Sequence, residues 1–473
     1  MDSKSTNSRT IGYYLWALTE RFGAGVIAFA GNIALAYLLT PDDFGLIAML
    51  GVFTALAQAL IDSGLSDALL NTPNPSRRDF DTLFWFNATV GTAIALLYAA
   101  IAPAVANFLE RPLLQPILTI LGLNALPAAL TIAPQTLLRS QLRFKAGAIV
   151  SLFASTVSTA VAVTIAYATA SYWALVALQV TYAVALSLAA WATTRWWPKP
   201  QFDTLRFRQL YRYGINLLLS GIVVQVSQNI FAFVLGQRFS AAQAGCLNQA
   251  QKLQQTPVNA FEAAVSSTTF ILAGKQPLNT DRTAIARQMF DKYTLVLTLV
   301  CCAMMAMCNQ IIGCIFPHKW LPVIPYLQLL LIWALIYPVN NYMMVIFKLF
   351  NSTHIIRNII TAERVLLVIA AFTLWRFGIN TIIVMAAALS AITLTISVFL
   401  AARTTQTRAR TWFAAYGRNL ITAALLAAPS AAVSLLLPIQ WSSLLLATLT
   451  YLIILSAYLI LTKKIQHLCH YLP

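Results

Sequence analysis

The feature that most constrains this chain is the recurrence of apolar runs of 18 residues or more, from Ile11 to Leu461. Each run is long enough to cross roughly 30 Å of hydrocarbon. Lipid offers the backbone no hydrogen bonds, so a spanning segment must be a helix or part of a closed barrel. These runs are too long and too continuously apolar for barrel strands. Charged residues are only 10% of the chain, against about 25% in a soluble domain, and 59% is hydrophobic. The fold class that follows is all-α: a polytopic membrane protein with no soluble domain large enough for an active site.

The pattern predicts fourteen spans, near 12–39, 44–70, 82–108, 113–138, 144–168, 172–194, 210–236, 241–271, 289–316, 323–347, 355–376, 379–402, 417–437 and 441–462. The first span holds Glu20 and Arg21 and is longer than a secretory signal core, so it reads as a retained helix. With the N-terminus inside, 24 of the 31 Lys and Arg fall on inner segments and only Arg111, Arg238, Lys319 and Arg376 on outer loops. The remaining three, Arg21, Lys252 and Arg364, lie within spans. This asymmetry matches the positive-inside rule and sets both termini inside. Removing one span would invert every later loop, so the bias also supports the span count. The net charge of +17 is thereby explained by topology, with some attraction to anionic membrane lipid, and no nucleic-acid partner is expected.

The outer loops are very short, Pro41-Asp42-Asp43 for example, while the longest inner connections run over 195–209, 274–288 and 403–416. A faint repeat joins Leu39-Thr40-Pro41-Asp42-Asp43-Phe44-Gly45-Leu46 to Phe239-Ser240-Ala241-Ala242-Gln243-Ala244-Gly245-Cys246, 200 residues on. Six spans separate the copies, so both halves would share one orientation, as parallel repeats of transporters do. The expected organisation is two six-helix bundles, 1–200 and 201–403, followed by two additional helices and a tail over 404–473.

A charge at mid-bilayer costs about 2.5–3.5 kcal/mol on insertion scales, so buried ones need partners or a wet cavity. In span eight Asn248, Lys252, Gln255, Asn259 and Glu262 are spaced 4, 3, 4 and 3, which puts all five on one helical face. Gln225, Gln228 and Asn229 add a polar face to span seven. A few amides would serve as glue between helices; a five-residue stripe containing a lysine fits a hydrated, anion-accepting cleft better. Glu20 and Arg21 are helix neighbours and cannot face each other, so Asp62 in span two is a candidate partner for Arg21. The Glu363–Arg364 pair of span eleven reads more readily as structural. Glu20, Asp62 and Glu262, all in the inner half, are the candidates for an ion-coupling site.

Signals of enzyme chemistry are lacking. The histidines, His318, His354, His467 and His470, lie near span ends or in the tail, and no phosphate-binding loop, nucleotide fingerprint or zinc spacing occurs. Four of the six cysteines sit on span nine, where they read as small packing residues. No cofactor and no metal is expected, and an ion gradient or a partner is the expected energy source.

Several segments resemble the polysaccharide flippases of the multidrug/oligosaccharidyl-lipid/polysaccharide (MOP) exporter superfamily, in the Wzx-type branch of colanic and teichuronic acid exporters. They are 38–45, 60–69 (Leu60-Ile61-Asp62-Ser63-Gly64-Leu65-Ser66-Asp67-Ala68-Leu69), Asp81-Thr82-Leu83-Phe84-Trp85-Phe86-Asn87, 139–144 and Tyr172-Trp173-Ala174-Leu175-Val176, with weaker likeness at 238–245. The resemblance implies a flippase moving a polyprenyl-pyrophosphate-linked glycan across the membrane by alternating opening of two bundles, in company with other polysaccharide-assembly proteins. On that reading Arg21 and Lys252 would meet the pyrophosphate, and the amides Asn248, Gln255, Asn259, Gln225, Gln228 and Asn229 the sugar hydroxyls. The rivals are a MATE-like or lipid II exporter of the same fold and, from another class, a membrane polysaccharide polymerase or O-antigen ligase. The latter carry long catalytic outer loops, which these few-residue turns do not provide.

Overall fold

The computed structural model describes residues 16, 23–62, 64–70, 72, 75–211, 215, 218, 222, 239–274, 280–350 and 353–461. Every long element among them is a helix, with no strand. In chain order these are α1 (Gly23–Leu38), α2 (Pro41–Met49), α3 (Gly51–Asp62), α4 (Leu65–Leu70), α5 (Arg77–Phe108), α6 (Leu114–Leu123), α7 (Ala125–Ser140), α8 (Phe144–Thr169) and α9 (Trp173–Thr194). Then follow α10 (Ala241–Gly274), α11 (Thr280–Ala306), α12 (Cys308–Ile315), α13 (Val323–Leu349), α14 (Thr353–Leu374), α15 (Ile379–Thr404), α16 (Ala409–Leu436) and α17 (Trp441–Leu461). Each expected span coincides with one or more of these helices, apart from 210–236, most of which lies outside the described residues. Among the described residues nine helices are long and apolar enough to cross a membrane, or ten when a bent pair is taken as one span.

That bent pair is the expected second span. The chain turns by 44° between α2 and α3, where the Leu50 N–H reaches back to the Ile47 carbonyl. Gly64, at φ +68, then closes the next turn in a left-handed conformation that a side chain rarely tolerates. The segment read as one helix over 44–70 is therefore three short ones.

The chain divides into two compact units, 1–245 and 246–473. In the first, α5 packs on α6 and α7, and α8 on α9, around a core of Met49, Leu50, Tyr98, Ile117, Leu118 and Leu121. Lipid supplies no hydrophobic drive between helices, so small residues that admit close approach matter most. A β-carbon on Gly91 would come within 2.7 Å of Ala129, and one on Gly122 within 2.7 Å of Tyr98. The Tyr98 hydroxyl donates to the Phe53 carbonyl at 2.6 Å, tying α5 to the bend of the second span.

The closest approach joins the two copies of the sequence repeat. Thr40 and Asp43 exchange hydrogen bonds, the Thr40 N–H donating to Asp43 Oδ2 (2.8 Å) and the Asp43 N–H to Thr40 Oγ1 (3.4 Å). Ser240 and Gln243 do the same, both at 3.2 Å. Both turns are thus capping boxes, in which side chains satisfy orphan N–H groups at a helix start. Pro41, expected in a loop, is already the first residue of α2, where its missing N–H costs nothing. The two capped turns then meet backbone to backbone. A β-carbon on Gly45 would fall on the Ala241 carbonyl, and one on Gly245 on the Pro41 carbonyl and 2.9 Å from the Gly45 nitrogen. Gly45 meets residue 241 as Gly245 meets residue 41, the signature of a local two-fold.

In the second unit α13 packs on α15, and rings from α10, α11 and α13 fill the core: Tyr293 stacks on Tyr342 at 5.0 Å and on Phe261 at 5.7 Å. The last two helices are bolted to this unit by polar groups as well as by packing. Asn419 donates to the Asp291 carbonyl (2.9 Å), to Asp291 Oδ1 (3.0 Å) and to Thr294 Oγ1 (2.9 Å), while Arg418 pairs with Asp291 at 2.6 Å. Gln310 donates to the Ser434 and Leu437 carbonyls at 3.2 Å, holding the far end of α16. Tyr451 on α17 donates to the Leu299 carbonyl at 2.9 Å.

Candidate functional site

The polar stripe of α10 is real in three dimensions. Lys252 and Asn259 are exposed, and Asn248, Gln255 and Glu262 half-buried. The opposite side of the helix, Gln249, Ala250, Leu253, Gln254 and Val258, is buried. The stripe runs from Asn248 to Glu262, about 21 Å at 1.5 Å per residue, so one face of this helix stays polar through most of a bilayer's apolar depth.

Two residues of α13 complete the Glu262 end of the stripe. The Tyr337 hydroxyl donates to Asn259 Oδ1 at 3.5 Å and accepts from the Gln254 amide at 3.4 Å. Asn341 is hydrogen-bonded to the Glu262 carboxylate. Tyr337 also lies within electrostatic reach of Glu262 and Arg364. The site therefore presents a lysine, several amides, a phenol and a carboxylate on adjacent helices. Such a set can hold an anion at one end and polyhydroxylated groups along its length.

Beside it lies a second, largely buried polar network, centred on Glu363, whose other members sequence reading missed. Glu363 on α14 is 5% exposed. The Ser390 hydroxyl donates to its Oε1 at 2.9 Å and the Asn340 amide to its Oε2 at 3.3 Å. Trp333 donates to Ser390 Oγ at 2.9 Å, and Ser397 donates to Asn340 Oδ1 at 2.7 Å. Asn340 also reaches Thr393 Oγ1 at 3.3 Å. Among the described residues both hydrogen-bond partners of the carboxylate are uncharged. A carboxylate buried among neutral donors is costly to hold in membrane, and the oxygens gathered around it suit a proton or a small monovalent cation. Asn340 and Asn341, consecutive on α13, thus serve Glu363 on one side and Glu262 on the other.

Of the other residues singled out from sequence, Glu20, Arg21, Gln225, Gln228 and Asn229 lie outside the described residues. Asp62 is exposed at the end of α3 and accepts from the Gln58 amide at 3.0 Å. Lys252, Asn248, Gln255, Asn259 and Glu262 are brought together. Glu363, read from sequence as half of a structural pair with Arg364, sits in a network of its own, and Asn340, Asn341, Tyr337 and Ser390 are additions from the structure. Their one sequence signal was the rarity of a carboxylate or paired asparagines inside an apolar run.

Comparison with known proteins gives the family. Residues 34–325 match the family described as polysaccharide biosynthesis protein. The chain belongs to that family. Among curated relatives, the teichuronic acid biosynthesis protein TuaB of Bacillus subtilis is 25% identical over 61% of this chain and 60% of its own length. The lipopolysaccharide biosynthesis protein WzxC of Escherichia coli is 23% identical over 71% and 69%, and the succinoglycan biosynthesis transport protein ExoT of Rhizobium meliloti 23% over 69% and 65%. The matched part thus spans about three fifths to two thirds of the length of these relatives. In fold, the chain superposes on the lipid II flippase MurJ with a TM-score of 0.73 at 12% identity, covering 94% of this chain and 99% of that one. An inward-facing MATE transporter of the MOP superfamily gives 0.60 at 13% identity, over 80% and 94%. The polysaccharide biosynthesis protein described here is a multi-pass membrane protein with the MOP fold.

Proposed function

We propose that this polysaccharide biosynthesis protein is a flippase that carries a polyprenyl-pyrophosphate-linked oligosaccharide from the inner to the outer leaflet of the bacterial cytoplasmic membrane. The observation that carries the reading is the five-residue polar stripe of α10, a polar track on the face opposite the one that packs into the protein. A glycan cannot cross hydrocarbon without such a track, while the polyprenyl tail needs none. Lys252, with Arg21, meets the pyrophosphate, and Asn248, Gln255, Asn259 and the amides Gln225, Gln228 and Asn229 meet sugar hydroxyls. Transport proceeds by alternating access, the track opening first to one leaflet and then to the other. The charge asymmetry of the loops supports an orientation with both termini inside.

Energy enters through an ion gradient acting on the buried carboxylates. Glu363 is the strongest candidate, because its hydrogen-bond partners are neutral, and Glu262, joined to it through the Asn340–Asn341 pair, lies on the track itself. Glu20 and Asp62 are the candidates in the first unit.

The test is flipping of a fluorescent lipid-linked oligosaccharide in vesicles holding the purified chain. Lys252→Ala and Arg21→Ala should each slow it; wild-type rates in both would sink the headgroup assignment. Supplying lipid II in the same vesicles separates this reading from a lipid II exporter, which would move that substrate faster than the polyprenyl-linked repeat unit.

A further inference from the structure

The inner connection over 195–209 is not a free linker. Five contacts from the first turns of α5 hold it, mostly by its backbone. Arg77 donates to the Trp197 carbonyl at 3.0 Å, and Trp85 Nε1 to the Lys199 carbonyl at 2.8 Å. The Lys199 N–H donates to Asp81 Oδ1 at 3.1 Å and the Asp203 N–H to Thr82 Oγ1 at 3.1 Å. Arg206 pairs with Asp79 at 3.3 Å. Trp196 is buried among Phe80, Leu83, Phe84 and Leu210, and Phe207 stacks on Tyr211. The segment Asp81–Asn87 that resembles the flippase family is thus the buckle of this strap.

With its backbone fixed, the connector turns its largest apolar side chains outward. Trp197 is 72% exposed, Leu205 76% and Phe202 46%. Around them Arg78, Arg195, Lys199, Arg206 and Arg208 are exposed, whereas Asp79 and Asp81 are buried beneath the strap. Asp203, the remaining acid, has Oδ1 occupied by the Leu205 and Arg206 N–H groups at 3.0 Å. An open depression of about 410 Å³ lies between Arg78 and residues Gln201 to Leu205. The ends of two spans, Arg77 of α5 and Thr194 of α9, flank the patch. That sets it at the depth of the lipid headgroups.

Exposed tryptophan and leucine beside several cations at that depth are the composition of an interfacial anchor for anionic lipid. We propose that this strap is a lipid-binding patch. The phosphate of an anionic phospholipid of the inner leaflet sits in the depression beside Arg78, and Trp197, Phe202 and Leu205 are immersed in the headgroup layer. Lipid bound there holds the connector between the two repeats at a fixed depth, independently of what the α10 track carries.

The test uses the full chain in phosphatidylcholine nanodiscs doped with a photoactivatable phosphatidylglycerol or, in parallel, a photoactivatable phosphatidylcholine, with crosslinks mapped by mass spectrometry. Arg78→Gln removes no strap contact and the pair Phe202→Ser/Leu205→Ser removes only the Phe202–Phe207 ring contact, and an unchanged melting temperature in each verifies that the fold is retained. Crosslinks at 197–205 should favour phosphatidylglycerol by about fivefold or more, with Arg78→Gln lowering the preference about fivefold, the factor expected for one cation. The serine pair should lower crosslinking of both lipids. Equal labelling by the two lipids would overturn the proposal, as would an Arg78→Gln protein that keeps the preference. Displacement of the phosphatidylglycerol label by polyprenyl pyrophosphate at equal mole fraction would also overturn it, by making the patch a substrate-headgroup site.

Discussion

The crossing of Gly45 and Gly245 gives a prediction whose size follows from the coordinates. A β-carbon at Gly45 falls on the Ala241 carbonyl, and one at Gly245 on the Pro41 carbonyl. Carbon and oxygen rest comfortably only at about 3.5 Å, so one methyl must push the turns apart by on the order of 1 Å. Neither obstacle is the tip of a flexible side chain. Both are backbone, and both turns are locked by their capping boxes. Overpacking of this kind costs about 1–3 kcal/mol, and the rigidity of the partners argues for the upper half of that range. At about 2 °C per kcal/mol, the slope for larger domains, Gly45→Ala should lower the melting temperature by roughly 4–6 °C in a detergent-solubilised thermal shift assay. Gly245→Ala should do the same. Since either methyl opens the same gap, the double variant should cost clearly less than the sum. Gly417→Ala is the control: nothing lies within 4 Å of its new methyl, and the gain in helix propensity makes it neutral or slightly stabilising. A Gly45→Ala protein that melts with Gly417→Ala, or a strictly additive double variant, would refute the close crossing.

Other expectations concern the polar networks. Glu363→Gln keeps an acceptor for Ser390 but no charge; flipping under an imposed ion gradient should lose its acceleration by about 5- to 150-fold, the usual span of coupling energies, while an unchanged gradient response would exclude Glu363 as the coupling group. Asn419→Ala breaks three hydrogen bonds at 2.9–3.0 Å and should destabilise the second unit by about 1–3 kcal/mol, read as a lower denaturant midpoint. Trp85→Phe removes the bond to the Lys199 carbonyl, worth about 1 kcal/mol; trypsin should then nick the connector at Arg195 or Arg206 about fivefold faster, and an unchanged rate would show that this bond does not restrain it. Lys252→Arg should retain more flipping than Lys252→Ala, because the headgroup contact asks for charge; equal loss in both would mean that shape decides.

The helices and the stripe were legible because each is written in consecutive residues. Apolar runs need only length, and Asn248 through Glu262 need only a period near 3.6. The Glu363 network has no such local signature: its members come from α13, α14 and α15, and Ser390, Thr393 and Ser397 look like the serines and threonines of any membrane helix. The strap was hidden for a related reason. Asp79 and Asp81 read as ordinary charges at the end of a span until the fold laid the 195–209 backbone over them. The bend after Met49 was missed because hydropathy is blind to direction: Leu50 and Gly51 leave the run apolar while the helix axis turns. The repeat was faint in letters and clear in space, since Thr40 and Ser240, or Asp43 and Gln243, differ in name but make the same bonds.

That last contrast explains how two halves of one chain can drift so far apart in spelling. The glycine crossing is made of main chain, which every residue carries alike, and the caps accept any short side chain with an oxygen in the right place. Pro41 could become Ala241 and Phe44 could become Ala244 without disturbing the join. Only the absence of a side chain at two positions is demanded. A mutational scan of these turns should therefore be tolerant nearly everywhere and abruptly intolerant at Gly45 and Gly245, so the local two-fold of the turns is inherited through what those two residues lack.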